Sequence, residues 1–266
     1  MGKIIAIANQ KGGVGKTTTC VNLAASMSAT KRKVLVIDLD PQGNATMGSG
    51  VDKYSVPHSA YDLLVDEKPV RDVVVSETSG KYDLIAANQD VTAAEIKLME
   101  FFARELRLKN ALAEVKDYYD YIFIDCPPSL NLLTINAMSA ADSVIVPMQC
   151  EYYALEGLTA LIDTIGKLAA VVNKNLKVEG ILRTMYDPRN RLASDVSDQL
   201  KQHFGDKVYR TVIPRNVRLA EAPSFGAPAM YYDKSSNGAK AYLALAGEII
   251  RRQELENAEQ ATEEQA

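Results

Sequence analysis

The sequence predicts an α/β protein with a doubly wound, mostly parallel sheet that is covered by helices on both faces. Three short segments are almost continuously apolar, at residues 3–9 (KIIAIAN), 34–38 (VLVID) and 121–125 (YIFID). A strand buried on both faces has no polar side, so such runs are typical of parallel sheets. Segments with apolar residues at helical spacing separate these runs. Strands that alternate with helices indicate helices packed on both sides of one sheet.

The apolar pattern also gives the order of the elements along the chain. Strands are predicted at residues 3–9, 34–38, 83–86, 121–125, 143–147 and 178–185. Helices are predicted at residues 16–29, 92–115 with a break, 155–172, 194–203 and 237–252. Residues 41–60 are rich in Gly, Pro, Ser and Asn, which favours a mobile loop. We interpret residues 1–252 as a single domain and the acidic residues 253–266 as a disordered tail.

Composition and charge restrict the class of protein. The 266 residues are 47% hydrophobic and 24% charged, which is typical of a globular protein. The three cysteines are far apart and form no CxxC pair, so a zinc site or a disulfide framework is not expected. The sequence has neither a signal-peptide pattern nor an apolar run near the roughly 20 residues that span a bilayer, which predicts a cytoplasmic protein. The net charge of −4 means that any DNA site must be a local patch.

A glycine-rich segment between the first predicted strand and helix is typical of a phosphate-binding loop. It reads NQKGGVGKTTT over residues 9–19. Glycines allow backbone amides to surround a phosphate, and the helix N-terminus adds positive potential. Lys16 is placed to reach the β- and γ-phosphates, and the Thr17 hydroxyl to bind Mg²⁺. The expected nucleotide contacts in the loop are Lys11, Gly12, Gly13, Val14, Gly15, Lys16, Thr17 and Thr18.

Aspartates follow two of the predicted strands. Asp38 and Asp40 end or follow the strand at 34–38, and Asp125 ends the strand at 121–125. Carboxylates at the carboxyl ends of parallel strands point into the crevice where ligands bind. We assign Asp125 as a ligand of Mg²⁺, together with Thr17, and Asp38 in support at the same ion. Asp40 lies in a Gly/Pro/Asn loop and is the candidate for orienting the attacking water.

The loop departs from the usual GxxxxGK[ST] pattern because Gln10 replaces the first glycine and Lys11 adds a second lysine. KGGVGKTT resembles the deviant Walker A motif of the phosphate-loop ATPases that include ParA partition proteins, MinD and the nitrogenase iron protein. DPQGNAT (40–46), DCPPSL (125–130) and IPRNVRLAEAPSFG (213–226) resemble chromosomal ParA/Soj proteins. This resemblance extends from Lys3 to about Ile250.

The resemblance implies a slow ATPase that uses ATP and Mg²⁺ and works as an ATP-bound sandwich homodimer. Lys11 would cross the dimer interface to the partner's ATP and stabilise charge on the transferred phosphate. Lys11, Lys16 and Asp40 are therefore the candidate catalytic residues. Glu151, in the family-like segment EYYALEG, would contact nucleotide across the dimer; the alternative is a residue favoured at a helix start.

A basic stretch near the end of the domain predicts a DNA-binding surface. Residues 181–220 contain eight Lys and Arg against four Asp, in a chain that is acidic overall. The resemblance implies non-specific binding of double-stranded DNA. The candidate DNA contacts are Arg183, Arg189, Arg215 and Arg218, with Arg215 and Arg218 on one face of a short helix. Arg215 has a second candidate role beside the adenine base, with Met185 and Pro214 as the other adenine-pocket candidates.

Two functions from different classes are consistent with these motifs. The first is an ATP-driven DNA-partitioning protein for a chromosome or plasmid, cytoplasmic and associated with the nucleoid, whose hydrolysis is stimulated by a ParB-type centromere-binding protein. The alternative is a MinD-like or ParA-like ATPase that positions a membrane or protein cluster. Residues 253–266 hold five glutamates and no Lys or Arg, so anionic lipid would repel them and no membrane partner is expected. A metabolic kinase of the same fold lacks a substrate motif here.

Overall fold

The computed structural model describes residues 2–76 and 78–263, which contain one seven-stranded sheet in the order β3-β4-β2-β5-β1-β6-β7. The strands are β1 (Lys3–Ile7), β2 (Val34–Asp38), β3 (Val74–Val75), β4 (Asp83–Ile85), β5 (Tyr121–Asp125), β6 (Ser143–Gln149) and β7 (Lys177–Thr184). Every neighbouring pair is parallel except β3 with β4. The predicted fold class is therefore confirmed.

Twelve α-helices lie in the described part of the chain. They are α1 (Lys16–Ala29), α2 (Asn44–Gly48), α3 (Ala60–Leu64), α4 (Val70–Val73), α5 (Asp90–Leu98), α6 (Arg107–Leu112), α7 (Leu132–Ala140), α8 (Ala154–Val171), α9 (Arg191–Phe204), α10 (Val217–Glu221), α11 (Ala229–Tyr232) and α12 (Asn237–Glu263). Short 3₁₀ turns occupy Arg104–Leu106, Gly205–Lys207 and Ala222–Phe225. No helix among these is both long and apolar enough to cross a membrane.

The two faces of the sheet form two separate hydrophobic cores. In β1, Ile4 and Ala6 point into the core beneath α3, α5, α7 and α8. Ile5 and Ile7 point into the opposite core, which α1 and α12 cover. All four side chains are buried, because successive residues of a strand face opposite sides and both sides are covered here. This explains why the central strands are apolar at every position.

The register of the central strands brings the predicted acidic residues to one edge. Ile7 of β1 and Asp38 of β2 are both register partners of Asp125 in β5. The turn from β1 to α1 begins at the same edge. The carboxyl edge of the sheet therefore carries the phosphate loop and two aspartates on three adjacent strands.

One predicted segment differs from the structure, one predicted break is located, and one helix was missed. Residues 41–60 are not a uniform loop, because α2 lies within them and a capping box from Ser59 and Asp62 starts α3. The break predicted within residues 92–115 lies between α5 and α6, where Ala103 has a left-handed φ of 51°. Helix α7 was not predicted, because its sequence LLTINAMSA is nearly all buried and shows no apolar stripe.

The tail prediction is wrong over residues 253–263, where α12 continues to Glu263. Glu and Gln are good helix formers. Glu256 pairs with Lys177 (3.2 Å) and, at 3.9 Å, with Lys3, which fixes this part of the helix to the start of β7 and β1. Residues 264–266 lie outside the described residues.

Gly43, the N-cap of α2, gives a test of the loop after β2. Its φ is 61°, and an added Cβ would lie 2.7 Å from the Ala87 carbonyl oxygen. We expect Gly43→Ala to lower the free energy of unfolding by about 1–3 kcal/mol. The matched control is Gly166→Ala within α8, where an added Cβ meets nothing within 4 Å. Chemical denaturation should show the control unchanged or more stable by about 0.5–1 kcal/mol; equal effects at both sites would contradict the prediction.

Candidate functional site

The turn from β1 to α1 has the backbone of an anion-binding loop. Gly13 and Gly15 have φ values of 73° and 87°, in the left-handed region that favours glycine. Gly15 is the N-cap of α1, and neither a side-chain cap nor an acidic residue occupies the first turn. The amides at the start of α1 are therefore free to bind an anion.

Lys16, the first residue of α1, is almost completely buried at this loop, with 7% of its surface exposed. Its Nζ donates a hydrogen bond to the backbone oxygen of Lys11 (3.2 Å), and no carboxylate among the described residues forms an ion pair with it. Burial lowers the pKa of the Lys16 ammonium, while the neighbouring Asp125 carboxylate acts in the opposite direction. A buried ammonium with one neutral partner is suited to an anionic ligand.

Asp125 is the complementary charge. Its side chain is fully buried, and neither carboxylate oxygen has a hydrogen-bond partner among the described residues. Burial raises the pKa of the Asp125 carboxyl well above its usual value, and the Asp38 carboxylate raises it further, while the nearby Thr17 hydroxyl and Lys16 ammonium act in the opposite direction. A buried carboxylate without a partner is costly, and a hard cation such as Mg²⁺ takes oxygen ligands of this kind. The donor set of Asp125 and the Thr17 hydroxyl fits that ion.

Asp38 has a different environment from Asp125. Its Oδ2 accepts hydrogen bonds from the amide and hydroxyl of Thr46 (both 2.8 Å), and its Oδ1 accepts from the Asp40 amide (3.1 Å). Burial raises the pKa of Asp38 to about 6, although these hydrogen bonds act in the opposite direction. The Thr46 hydroxyl also accepts from the Ala87 amide (2.9 Å). Asp38 therefore holds the segment 40–46 against the sheet.

Asp40 begins that segment and lies partly exposed. Its Oδ1 accepts a hydrogen bond from the Gln42 amide (3.0 Å), and its backbone oxygen accepts from the Gly43 amide (2.8 Å). Asp40 contributes to the electrostatic potential at Lys16. The structure therefore brings Asp40 close to the loop, on a turn set by Asp38.

Lys11 extends from the outer side of the loop. Its Nζ forms an ion pair with Glu151 of the same chain, and both side chains are about half exposed. Tyr152 (74% exposed) and Tyr153 (73% exposed) follow Glu151, so two large aromatic side chains stand in solvent at this edge. Exposed aromatic residues of this kind are typical of an association surface.

The three predicted adenine-pocket residues lie together. A cavity of about 170 Å³ beside Gly15 is lined by Met185, Pro214 and Arg215. A parallel bridge joins residues 186 and 214, which brings the two segments together. Met185 has a φ of 48°, a strained conformation for a residue with a side chain.

Other residues of this cavity were not predicted from the sequence. They include Thr184, Asn216, Leu219 and Tyr242. The Thr184 hydroxyl donates to the Val14 backbone oxygen (2.8 Å), which ties β7 to the phosphate loop. Asn216 and Leu219 fall within the family-like segment 213–226, which was the available signal. Tyr242 is a core residue of α12, and no motif identifies it.

Arg183 is not a surface residue, so its prediction as a DNA contact is wrong. It is 3% exposed. Its guanidinium donates to Ser197 Oγ (2.8 Å) and to the backbone oxygens of Tyr209 (2.7 Å) and Arg210 (3.1 Å). Arg183 is buried because the side chain at this position of β7 points into the protein, where its hydrogen bond to Ser197 joins β7 to α9.

The other three arginines reach the surface. Arg189 pairs with Asp187 (2.8 Å). The hydrogen bonds from Arg189 lower the pKa of Asp187 to about 2, and the charge of Arg215 adds to this lowering. Arg218 pairs with Glu221 (2.8 Å) and Asp233 (3.3 Å). Arg215 precedes α10, whose N-cap is Asn216, so the prediction that Arg215 and Arg218 share a helix face is wrong.

The sheet order, the glycine-rich loop at the start of α1 and the buried aspartate at the end of β5 define a protein of the phosphate-loop NTPase type. The family model described as an AAA domain matches residues 2–178. Sporulation initiation inhibitor protein Soj of Bacillus subtilis is 55% identical over 249 residues, which are 94% of this chain and 98% of Soj. Chromosome partitioning protein ParA of Caulobacter vibrioides is 49% identical over 253 residues, covering 94% and 95% of the two chains.

Among solved structures, cobyrinic acid a,c-diamide synthase from Mycobacterium smegmatis with bound ATP analog and magnesium has a TM-score of 0.83. It is 36% identical and covers 96% of each chain. The identity to the two partitioning proteins is higher and extends over nearly their full lengths. The chain therefore belongs to the ParA/Soj family of chromosome-partitioning ATPases.

Proposed function

We propose that this protein binds ATP with Mg²⁺ at residues 10–17, dimerises on ATP and binds DNA non-specifically, as a single ATPase domain over residues 1–252. The observation that carries the proposal is a pair of buried opposite charges, Lys16 and Asp125, which have no ion-pair partner among the described residues at the uncapped start of α1. A phosphate with its cation would satisfy both charges. The Mycobacterium smegmatis neighbour, solved with an ATP analog and magnesium, supports this choice of ligand.

Each group at the loop has a separate task. The amides from Gly12 to Lys16 and the Lys16 ammonium would bind the phosphates. Thr17 and Asp125 would hold Mg²⁺, which lowers the charge of the phosphates during transfer. Asp38 would act indirectly, because its oxygens are already used by Thr46 and Asp40. Asp40 would orient the attacking water from the segment that Asp38 holds.

The adenine base would lie in the cavity beside Gly15. Met185 and Pro214 offer apolar contact to the base, and Arg215 borders the same cavity. The hydrogen bond from Thr184 to Val14 would hold the cavity at a fixed distance from the phosphate loop.

Lys11 supports a dimer because its side chain is exposed at the same edge as Tyr152 and Tyr153. In the ATP-bound dimer, Lys11 would leave Glu151 and reach the phosphates of the partner's ATP. Glu151 would then be free to contact nucleotide across the interface. A cation on the transferred phosphate stabilises its negative charge, so hydrolysis would depend on dimerisation.

Arg189, Arg215 and Arg218 would form the DNA surface of each subunit. Arg189 and Arg215 both lie close enough to Asp187 to lower its pKa, and Arg215 also lines the nucleotide cavity. An ATP-bound dimer would present the arginines of its two subunits together. Contacts to phosphates rather than bases give binding that is indifferent to sequence. The protein would be cytoplasmic and nucleoid-associated, and a ParB-type centromere-binding protein would stimulate hydrolysis and release it.

DNA binding by an Arg189→Ala/Arg218→Ala double variant tests this function, because neither arginine lines the nucleotide cavity. With ATP, the wild type should bind two unrelated duplexes equally and lose affinity steeply with salt. The double variant should bind more weakly. The slope of log binding constant against log salt concentration should be smaller in magnitude by about one for each DNA phosphate that the removed arginines neutralise in the wild type. Gel shift and light scattering with ATP, with ADP and without nucleotide measure both properties.

The matched control is Arg71→Ala. Arg71 is also exposed and pairs with a neighbouring aspartate, Asp72, but it lies beside β3 at the opposite edge of the sheet from β7. The control should bind DNA like the wild type. Normal binding by the double variant would contradict the assigned surface, and no binding by the wild type in any nucleotide state would contradict the DNA function and favour positioning of a membrane or protein cluster.

A further inference from the structure

Residues 40–43 form a tight turn, which we call the Asp40 turn. The Gly43 amide donates to the Asp40 backbone oxygen (2.8 Å), and the Gln42 amide donates to Asp40 Oδ1 (3.0 Å). The first residue of the turn is also held from the sheet, because Asp38 Oδ1 accepts from the Asp40 amide (3.1 Å). The position of the Asp40 carboxylate therefore depends on how this turn is held.

A second side chain, Lys53, holds the other end of the Asp40 turn. The Lys53 ammonium donates a hydrogen bond to the Gln42 backbone oxygen (2.5 Å). Its stem packs on the next residue, since a Cβ added at Gly43 would lie 2.8 Å from Lys53 Cδ and 3.4 Å from Lys53 Cβ. A hydrogen bond from a charged donor is stronger than one between neutral groups. Lys53 therefore contacts the turn through both its charge and its stem.

The backbone that carries Lys53 is itself fixed. The Val51 amide donates to the Thr46 backbone oxygen in α2 (3.2 Å), and the Ser55 amide donates to the Asp52 backbone oxygen (3.1 Å). Hydrogen bonds on both sides of Lys53 thus hold it relative to α2. Because its backbone is held, the side chain can restrain the turn rather than follow it.

The conformation that Lys53 restrains is one in which Asp40 faces the phosphate site. The charge of Asp40 raises the pKa of the Lys16 ammonium and of the Asp125 carboxyl, so Asp40 lies within electrostatic reach of both. A bond that holds the turn in this place keeps the Asp40 carboxylate at the site. Loss of the bond should therefore slow the reaction rather than speed it.

We propose that Lys53 is a positioning residue for ATP hydrolysis, which holds the Asp40 turn so that the Asp40 carboxylate orients the attacking water. Lys53 would touch neither the phosphates nor the water, so it should affect the chemical step and not ATP binding. This inference rests on the proposed function, in which Asp40 has that role. A displacement of about 1 Å at reacting groups can cost about a hundred-fold in rate, so one restraint on the turn has a measurable effect.

Lys53→Met tests the proposal, because methionine keeps an apolar stem over Gly43 but has no hydrogen-bond donor. Single-turnover hydrolysis of Mg²⁺-ATP by the full chain should be about ten-fold slower, while isothermal titration should show ATP affinity unchanged within about two-fold. Lys53→Arg keeps a cationic donor and should recover most of the rate. Thermal melting should be unchanged in both variants, because Lys53 is only partly buried.

The matched control is Lys81→Met. The Lys81 ammonium lies 5.3 Å from the centre of the Tyr231 ring, and the Lys53 ammonium lies 5.3 Å from that of Tyr54. The two lysines therefore share a tyrosine neighbour, but the hydrogen bond to the Asp40 turn comes from Lys53. The control should hydrolyse ATP at the rate of the wild type.

Several outcomes would overturn the proposal. They are unchanged or faster hydrolysis in Lys53→Met, an equal loss in Lys81→Met, and a loss explained by weaker ATP binding or by a missing ATP-dependent dimer in sedimentation. Weaker DNA binding with normal hydrolysis would make Lys53 a DNA contact instead.

Asp40→Ala, measured in parallel, separates this inference from the proposed function. Normal hydrolysis by Asp40→Ala would contradict the proposed role of Asp40 and the role of Lys53 with it. Slow hydrolysis by Asp40→Ala together with a normal rate in Lys53→Met would contradict the role of Lys53 alone.

Discussion

Lys16→Ala is expected to weaken the free energy of ATP binding by about 3–5 kcal/mol. The substitution removes the ammonium that is buried at the start of α1 and would leave the phosphates without their main counter-charge. The ligand-free variant should not be less stable than the wild type. In the ligand-free protein the ammonium has the Lys11 carbonyl as its hydrogen-bond partner, and the cost of its burial exceeds its attraction to Asp125, so its removal relieves a desolvation cost. Isothermal titration and the shift of the melting temperature by Mg²⁺-ATP measure the two effects separately.

Lys11→Ala is the matched control within the same loop. Lys11 is about half exposed and points away from α1, so the variant should bind ATP with nearly the affinity of the wild type. It should nevertheless fail to form the ATP-dependent dimer in sedimentation. Normal ATP affinity in Lys16→Ala would show that residues 10–17 are not the phosphate site.

Asp125→Asn is expected to raise the free energy of unfolding of the ligand-free protein by about 1–3 kcal/mol at neutral pH, because it removes a buried carboxylate whose oxygens accept no hydrogen bond within 3.5 Å from the described residues. The same variant should lose most of the stabilisation that Mg²⁺-nucleotide gives the wild type. Urea denaturation with and without Mg²⁺-ADP, and with a chelator added, measures both changes.

The pH dependence of stability gives a second readout. The pKa of Asp38 rises from 3.8 to about 6 on folding, and that of Asp125 also rises. The folded chain then binds more protons than the unfolded chain, so stability present below pH 3.8 is lost as the pH rises through about 6 and beyond. This loss should be smaller in Asp125→Asn. Asp117→Asn, at an exposed position, is the control; an equal pH profile in the two variants would contradict the assignment.

The phosphate loop and the strands that carry it were predictable because local sequence determines them. Gly13 and Gly15 are needed for left-handed backbone, and the strands at 34–38 and 121–125 are apolar at every position because both faces are covered. Lys16 followed from its place at the start of α1, directly after the glycine-rich loop, and Asp125 from its place at the end of β5. Helix α7 was not predictable in the same way, since full burial removes the periodic pattern that identifies a surface helix.

The sequence by itself determined the family, the fold class and the residues at the phosphate loop, because these depend on short segments with fixed local geometry. The tertiary structure alone decided which side chains reach solvent and which charges pair. It places Arg183 inside, pairs Lys11 with Glu151 across 140 positions of the chain, and exposes Phe102 beside a strained turn. Side-chain burial and long-range pairing depend on how distant elements pack, and no local pattern of residues records that packing.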